Sequence, residues 1–459
     1  MLKGFPALVK VSVRSLLLLF LLMLLKSQLS SLLPLMISTW NYKNANREAW
    51  LVLRTGSLRT RQAVFQGCLH CQFADNCGRL LGGASAPDNS GGISLEAALI
   101  DGTNMRYAAV AGMAGIRNAI GVAHDVLRYT NHSLLVGEAA ARFAEGMGHE
   151  KDDLSTSSSK DVLLTWRLAN CQPNFWRNVR PLANASCGKY TPLPQEKHQR
   201  EMRQEYPIEQ GHHDLVGFLA IDTKGYIHAA SLSSGVRSRI PGRVGDAAVP
   251  GAGIYAENKV GGALATGEGD VLMRFLPALL AVEALRAGQS PDEAADAVMR
   301  RLLGRHTEFN GGLVVVSRWG IYAATCAVLD EFQFVVSGEG SVSYMPRVKI
   351  LKCLDRHEIV FGGPRGIFYL APKKIVMTGR GDFAVQRVKK VKLKEEMDFI
   401  EFSEEYIEET DIEIEMNEEN PKELKEDKRS ILDGSSGHLL LHQLGLAPPF
   451  PLRFPLIYF

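Results

Sequence analysis

The sequence predicts an α+β fold in which antiparallel sheets are covered by helices. Residues 216–230 place two strand-like runs on either side of the turn Asp222–Gly225, and residues 312–326 hold a second such hairpin. Between the two hairpins, apolar residues recur at helical spacing. Because hairpins predominate over a strict alternation of strands and helices, antiparallel sheets are expected rather than a parallel one.

The individual elements are predicted from apolar periodicity along the chain. Strands are predicted at 34–40, 93–100, 105–111, 216–221, 226–230, 312–316, 320–326 and 332–336. Helices are predicted at 44–55, 63–71, 118–129, 135–147, 270–287 and from Ser290 to about Leu303. The last helix should begin at Ser290, because a capping serine is followed three positions later by Glu293. Pro277 predicts a kink in the helix before it, or a later helix start.

The overall composition is that of a globular protein. The chain has 459 residues, of which 46% are hydrophobic and 22% are charged. This length allows one large core or two medium domains. The net charge of +2 argues against a general role in binding nucleic acid or anionic membranes.

Residues 1–30 have the pattern of a signal peptide. Lys3, Lys10 and Arg14 form a basic region, and the apolar run at 16–25 is too short to span a bilayer. An uncleaved signal anchor is the alternative interpretation, and no later segment has the character of a membrane span. We therefore expect a protein of the secretory pathway, lysosomal or secreted, that is free of the membrane once the signal is removed.

The seven cysteines suit an oxidising compartment, and their odd number leaves at least one thiol unpaired within the monomer. They are Cys68, Cys71, Cys77, Cys171, Cys187, Cys326 and Cys353. Cys171 and Cys187 are a plausible loop-closing pair. The CxxC spacing at 68–71 is also compatible with redox or zinc chemistry, which is disfavoured because no second CxxC is present. Asn131 and Asn184 begin Asn-X-Ser triplets, where N-glycosylation is expected.

Composition divides the rest of the chain into four parts. They are a first half at 31–190, an exposed linker at 191–214, a second half at 215–350 and an appended tail at 351–459. The tail is basic at 373–394 and acidic at 395–426, and so dense a run of charge predicts disorder over most of it. Arg380–Asp382 matches an integrin-type tripeptide, which we interpret as a chance triplet.

Long sequence blocks in both halves resemble one hydrolase family. The second half holds GHHDL from Gly211, GRVGD from Gly242, PGAG from Pro250 and TGEGDVLMRF from Thr266. The first half holds Ser38–Trp40, GIRNAIGV from Gly115, LVGE from Leu135, DLST from Asp153 and NCQPNFWR from Asn170. Over about residues 33–336, the order of these blocks is similar to that in the glycosylasparaginases, which are N-terminal-nucleophile hydrolases.

The resemblance implies the fold and the activity of that family. The fold is a four-layer αββα sandwich, and the reaction is hydrolysis of the amide that joins N-acetylglucosamine to asparagine in glycoprotein breakdown. It implies no metal or organic cofactor, and a small glycosylated asparagine as the binding partner. The family assembles as a dimer of processed heterodimers, so an unsplit chain is expected to form a homodimer of single chains.

The resemblance also assigns residues to a binding site. Arg243 matches the residue that binds the substrate α-carboxylate, and a guanidinium suits this group because it donates two parallel hydrogen bonds. Asp246 matches the residue that holds the α-ammonium. Without the surrounding match, Arg243 and Asp246 would be interpreted as a surface ion pair. Thr266 and Gly267 match the oxyanion hole, next to a helix start where negative charge is stabilised. Trp40 is assigned to substrate binding.

The family's nucleophile is absent from its expected place. In the family pattern Gly-His-Asp-Thr, the threonine splits the chain and then attacks the substrate, with its freed α-amine as the base. Here Leu215 follows Asp214, so we predict neither cleavage at this bond nor an acyl-enzyme. A pseudoenzyme that binds asparagine-like ligands is favoured over a working amidohydrolase with a substitute nucleophile. Ser231 and Ser233, the latter in place of a supporting threonine, are the substitutes to consider, but neither has an α-amine base.

Overall fold

The computed structural model describes residues 33–56, 58–73, 77, 86–194, 215–338 and 346–353, together with the backbone of strands between 358 and 387. The predicted signal peptide, the linker from residue 195 to Asp214 and most of the predicted tail lie outside the described residues. Within the described part, no helix is both long enough and apolar enough to cross a bilayer.

The elements are numbered in chain order. Strands β1 to β9 are Leu35–Thr39, Ser94–Asp101, Arg106–Ala114, Leu134–Val136, Val179–Arg180, Thr191–Pro192, Val216–Ile221, Ile227–Ser233 and Ile254–Glu257. Strands β10 to β18 are Gly261–Gly267, Gly311–Ser317, Tyr322–Ala327, Glu331–Gly338, Arg347–Lys352, Glu358–Gly363, Gly366–Leu370, Lys373–Met377 and Phe383–Arg387. Helices α1 to α8 are Lys43–Leu53, Thr60–Phe73, Ala119–Tyr129, Gly137–Gly146, Ser157–Leu168, Gly269–Phe275, Pro277–Arg286 and Pro291–Leu303.

The larger sheet has eight strands in the order β14-β13-β1-β7-β8-β2-β3-β4. All neighbouring strands are antiparallel except β3 and β4. At its centre, Ile37 of β1 pairs with Val336 of β13 and with Leu219 of β7. Every residue of β7 is buried, because both faces of the sheet are covered.

The smaller sheet has six strands in the order β16-β15-β12-β11-β10-β9. Alternation along β10 and β11 divides their side chains between two cores. Leu264 and Val314 join the core shared with the larger sheet, whereas Ala263 and Val315 join a second core formed with α6, α7 and α8. The alternating pattern therefore places this sheet between the larger sheet and a set of helices.

Helices cover the sheets as the hairpin pattern predicted. Helices α1 to α4 pack against the larger sheet, and α7 and α8 pack against the smaller one. Strands β7 and β8 of the larger sheet lie next to β9 and β10 of the smaller. The predicted α+β class, with antiparallel sheets covered by helices, is confirmed.

The predicted helix at 270–287 is two helices rather than one. Leu276 follows the last residue of α6 and adopts the left-handed region at φ 50°. Pro277 is the first residue of α7. Proline lacks a backbone N–H and clashes with the preceding turn, so the break falls where the sequence placed a kink. The capping box before α8 is confirmed, since Glu293 Oε2 accepts the backbone N–H of Ser290 at 2.8 Å.

One other predicted helix begins later than expected, and two elements were not predicted. The predicted helix at 135–147 begins only at Gly137, because Leu134–Val136 pairs with β3 as a strand. Strand β10 was not predicted, since three of its seven residues in GGALATG are glycine, which has low strand propensity. Helix α5, Ser157–Leu168, was also missed; only Ser159 of it is buried, so it shows little apolar periodicity.

The end of the second half extends past the expected boundary at 350/351. Strand β14 runs through it and pairs with β13, and β15 pairs with β12. Strands β17 and β18 form an antiparallel hairpin. The acidic run at 395–426 lies outside the described residues, so its disorder stays a prediction.

Six of the seven cysteines form disulfides, as a secreted chain was expected to do. The pairs are Cys71–Cys77, Cys171–Cys187 and Cys326–Cys353. Cys68 is left as a buried thiol, and burial raises its pKa well above the usual value. Of the two cysteines in the CxxC motif, Cys71 therefore forms a structural disulfide with Cys77, and Cys68 remains a thiol.

Candidate functional site

Three residues assigned to the site from sequence meet at the end of β10. The Thr266 hydroxyl donates a hydrogen bond to the backbone oxygen of Leu215 at 2.8 Å and accepts the Trp40 Nε1–H at 3.0 Å. All three side chains are buried, with exposed fractions of 0% for Thr266 and Leu215 and 1% for Trp40. A buried hydroxyl that makes two hydrogen bonds is fixed in orientation, so Thr266 is a preorganised polar group.

Trp40 is held firmly on the other side of this hydroxyl. It follows β1 directly and adopts φ 61°, which is uncommon for a bulky residue. Its ring packs edge-on against Phe332 with centroids 5.5 Å apart. Such backbone strain is tolerated where the surrounding structure fixes it, and functional sites are where it concentrates.

Gly267 occupies a position that no larger residue fits. Its φ is 135°, and a Cβ there would lie 2.3 Å from the Asn310 oxygen and 2.5 Å from Gly311 Cα. Gly267 also pairs in register with Gly311 of β11. The close approach of two main chains explains why the residue after Thr266 is glycine, and it fixes the peptide that the sequence assigned to an oxyanion hole.

Leu215 places an aliphatic side chain beside the assigned binding groups. A Cβ built on Gly253 would lie 2.2 Å from Leu215 Cδ1 and 3.0 Å from Asp246 Oδ2. The leucine side chain and the aspartate carboxylate therefore both stand over the Cα of Gly253. The residue before it, Asp214, lies outside the described residues.

Arg243 is paired with a carboxylate that the sequence reasoning did not select. Its Nε lies 3.2 Å and its Nη2 lies 2.9 Å from Asp270 Oδ2. The Arg243 side chain is 12% exposed, against 52% for Asp270, which lies in the first turn of α6. This side-on pair fixes the plane of the guanidinium, and Nη1 lies towards Gly245, where a Cβ would lie 2.7 Å from Nη1.

Glu96 is a second residue that the sequence reasoning missed. It lies on β2 and is 1% exposed, and its two carboxylate oxygens each lie 3.0 Å from the Gly245 nitrogen, whose N–H they accept. Gly245 directly precedes Asp246, so Glu96 fixes the turn that carries the latter. The signal was available, because a glutamate inside the apolar run Leu95–Leu99 is almost never buried without a partner.

The site carries a concentration of negative charge. Asp246 is fully buried at the start of a short 3-10 turn, Asp246–Ala248. Burial raises the pKa of Tyr107 well above its usual value, and the charges of Glu96 and Asp246 raise it further. A neutral phenol and two carboxylates favour a cation in this neighbourhood, as the assignment of Asp246 to an ammonium group requires.

The two serines considered as substitute nucleophiles are used in backbone hydrogen bonds. The Ser231 hydroxyl donates to the Ala247 oxygen at 2.7 Å, and the Ser233 hydroxyl accepts the Gly235 N–H at 2.8 Å. Both are buried, and in the described part of the chain neither is hydrogen-bonded to an imidazole or a carboxylate. Without such a base, a serine hydroxyl is a weak nucleophile.

No metal-binding cluster accompanies these residues. The described ranges contain no group of three or more His, Cys, Asp or Glu side chains placed to hold an ion. The polar groups of the site are thus a guanidinium, carboxylates, one fixed hydroxyl and main-chain amides. Such a set can bind a zwitterion and a carbonyl oxygen, but it contains no activated nucleophile.

Comparison with known proteins shows the family of the chain. Residues 26–345 match the family model described as Asparaginase, so the chain belongs to the asparaginase family, whose fold is that of the N-terminal-nucleophile hydrolases. It is 73% identical over 449 residues to L-asparaginase-like protein GA18140 of Drosophila pseudoobscura pseudoobscura, covering 96% of this chain and 98% of that protein. It is 57% identical over 350 residues to L-asparaginase-like protein CG4372 of Drosophila melanogaster, covering 76% of this chain and 87% of that protein.

The coverage of these matches bears on the C-terminal segment. Because the match covers 96% of the chain, the few residues outside it cannot account for the whole segment 351–459. L-asparaginase-like protein GL17509 of Drosophila persimilis matches at the same identity and coverage. Most of the segment is therefore shared with two relatives and is not peculiar to this chain.

Proposed function

We propose that this chain is an unsplit member of the asparaginase family that binds asparagine-type amino acids without hydrolysing them. One observation carries the proposal: the position of the expected nucleophile holds the buried aliphatic side chain of Leu215. Leucine has neither a hydroxyl to attack an amide nor a proton to transfer. Removal of a nucleophile typically lowers turnover by about 10⁶-fold.

Retention of the binding groups supports a ligand of this class. Arg243 offers a guanidinium edge for an α-carboxylate, and the buried Asp246 offers a carboxylate for an α-ammonium. Asp270 and Glu96 hold both residues in place through the hydrogen bonds described above. A site that had lost all function would have no reason to preserve a buried carboxylate, since burying charge is costly.

The hydrogen bond from Thr266 to Leu215 supports the absence of turnover. The hydroxyl that would stabilise an oxyanion is bonded to the main chain of this protein. An unsplit chain also releases no α-amine, which is the general base of the family's reaction. The general base is therefore missing together with the nucleophile, and the one donor of the Thr266 hydroxyl is used within the chain.

A working glycosylasparaginase is the second candidate function. It is favoured by membership of the asparaginase family and by the presence of the residues that the resemblance assigns to the oxyanion hole and to zwitterion binding. In this case the chain would hydrolyse the amide between N-acetylglucosamine and asparagine, and Ser233 or Ser231 would act as nucleophile. Their backbone hydrogen bonds count against this role.

The proposal extends to architecture, assembly and route. The packing of helices and sheets supports a four-layer αββα sandwich, and an unsplit chain of this family would form a homodimer. Three disulfides and exposed side chains at Asn131 and Asn184 support passage through the secretory pathway to a lysosomal or extracellular destination. Intact-mass analysis before and after enzymatic deglycosylation, with size-exclusion chromatography, tests these points.

The function is tested on the purified full-length protein. A denaturing gel and an intact mass should show one chain, and neither L-asparagine nor N-acetylglucosaminyl-asparagine should be hydrolysed. Calorimetry should nevertheless show binding of L-asparagine, and Arg243→Ala should abolish it. Ammonia release or cleavage before Leu215 would exclude the pseudoenzyme, and absence of binding would exclude the ligand class.

A further inference from the structure

Asn310 is fixed against the corner formed by Thr266 and Gly267. It directly precedes β11, and its backbone oxygen accepts the N–H of Glu268 at 3.1 Å. The same oxygen lies 2.3 Å from where a Cβ on Gly267 would sit. The main chain of Asn310 is therefore in contact with the strand end that carries the oxyanion pair, although the site assigned from sequence does not include it.

The side chain of Asn310 carries an unsatisfied acceptor. Its Oδ1 is buried and has no hydrogen-bond partner within the part of the chain that the structure describes. Buried polar atoms are nearly always hydrogen-bonded, because desolvating them without compensation costs free energy. A buried, unsatisfied acceptor in the residue whose main chain borders this corner is explained if a bound molecule brings the donor.

We propose that Asn310 is a specificity-determining residue, whose side-chain carbonyl accepts an N–H of the ligand carboxamide and so selects asparagine over aspartate. The inference rests on the proposed function, in which Arg243 and Asp246 bind the α-carboxylate and α-ammonium. The only polar group of asparagine that remains is its carboxamide. Its carbonyl oxygen suits the main-chain N–H of Gly267 that the sequence assigned to the oxyanion hole, and its N–H suits Asn310.

The acid analogue differs from the amide in the group that Asn310 would contact. L-Aspartate has the same size and the same α groups, but its side-chain carboxylate has no N–H and presents an oxygen to the Asn310 oxygen. Sites built to bond a ligand N–H reject analogues without it, so a preference of at least about 10-fold is expected.

The test compares dissociation constants of L-asparagine and L-aspartate by calorimetry on the full-length protein. Wild type should prefer L-asparagine by at least about 10-fold. Asn310→Leu, which keeps the size and removes the hydrogen bond, should reduce the preference to within about 3-fold. Gln289→Ala, which removes an exposed carboxamide elsewhere, should leave it unchanged.

The outcomes separate this inference from the function on which it rests. An unchanged preference in folded Asn310→Leu, or a wild-type preference for L-aspartate, would overturn the inference and leave ligand binding intact. Wild type that binds neither amino acid would remove the proposed function and the inference with it. If Asn310→Leu does not fold, Asn310→Asp decides, because a charged acceptor must raise the preference for the amide and a lower preference refutes the role.

Discussion

The Thr266 hydroxyl donates a 2.8 Å hydrogen bond to the backbone oxygen of Leu215, while accepting the indole N–H of Trp40 at 3.0 Å. The group expected to stabilise an oxyanion thus contacts the main chain of the residue that stands in the nucleophile position. The residues that the resemblance assigns to the surroundings of the reaction are present, whereas the residue in the nucleophile position has no hydroxyl. Restoring that side chain is therefore the most direct experiment.

Leu215→Thr should restore some self-cleavage before residue 215. The new hydroxyl would stand near Gly253, where the leucine side chain now lies, and on the residue whose backbone oxygen Thr266 contacts. The measurement is the appearance of two fragments on a denaturing gel, with masses that place the cut after Asp214. Leu215→Val is the matched control, because valine has the shape of threonine without its hydroxyl, and it should remain intact. A single band from Leu215→Thr after prolonged incubation would contradict a retained processing geometry.

Asp270→Ala should weaken ligand binding by about 10-fold although Asp270 is half exposed. Its carboxylate holds the Nε and Nη2 side of Arg243, so its loss frees the guanidinium to rotate. Calorimetry with L-asparagine measures the effect. Asp292→Ala, on α8, makes the same change of charge and should have no effect; an equal loss in both variants would point to general electrostatics instead.

Gly267→Ala should destabilise the fold by more than about 2 kcal/mol. A Cβ there meets the Asn310 oxygen at 2.3 Å, in addition to the strain of a φ of 135°. Gly225→Ala separates the two causes, because Gly225 has a φ of 80° and nothing within 4 Å of its Cβ position. It should cost only about 1 kcal/mol. Urea unfolding gives both values, and similar costs would show that the contact with Asn310 relaxes easily.

Asp101→Asn should lower the melting temperature by about 3 °C near pH 6, and by less below pH 4. Burial acts to raise the pKa of Asp101, but the hydrogen bond and charge of His228, whose Nε2 lies 3.3 Å away, bring it below the usual value. A lowered carboxyl pKa stabilises the fold above the unfolded value of about 3.9 and loses this effect as the pH falls through the folded value. Melting curves from pH 3 to 7 test the trend. Asp161→Asn, an exposed control, should show no such pH dependence.

Most of the fold was predictable because it depends on local pattern. The hairpin at 216–230, the capping box at Ser290 and the break at Pro277 were all placed from sequence. Strand β10 was not, because its glycines hide the strand pattern and are required by contacts with β11 that no local window contains. Helix α5 was missed for the related reason that only one of its residues is buried, so it shows little apolar periodicity.

The sequence by itself determined the family, the class of fold and the absence of a hydroxyl at Leu215, since these are properties of residue identity and order. Tertiary structure decided how the site is held: Glu96 reaches Gly245 across 149 positions of the chain, and Arg243 meets Asp270 across 27. It also brought the main chain of Asn310, whose side-chain oxygen is buried and unsatisfied within the described residues, against Gly267. Hydrogen bonds between distant segments depend on how sheets and turns pack, so local composition does not encode them.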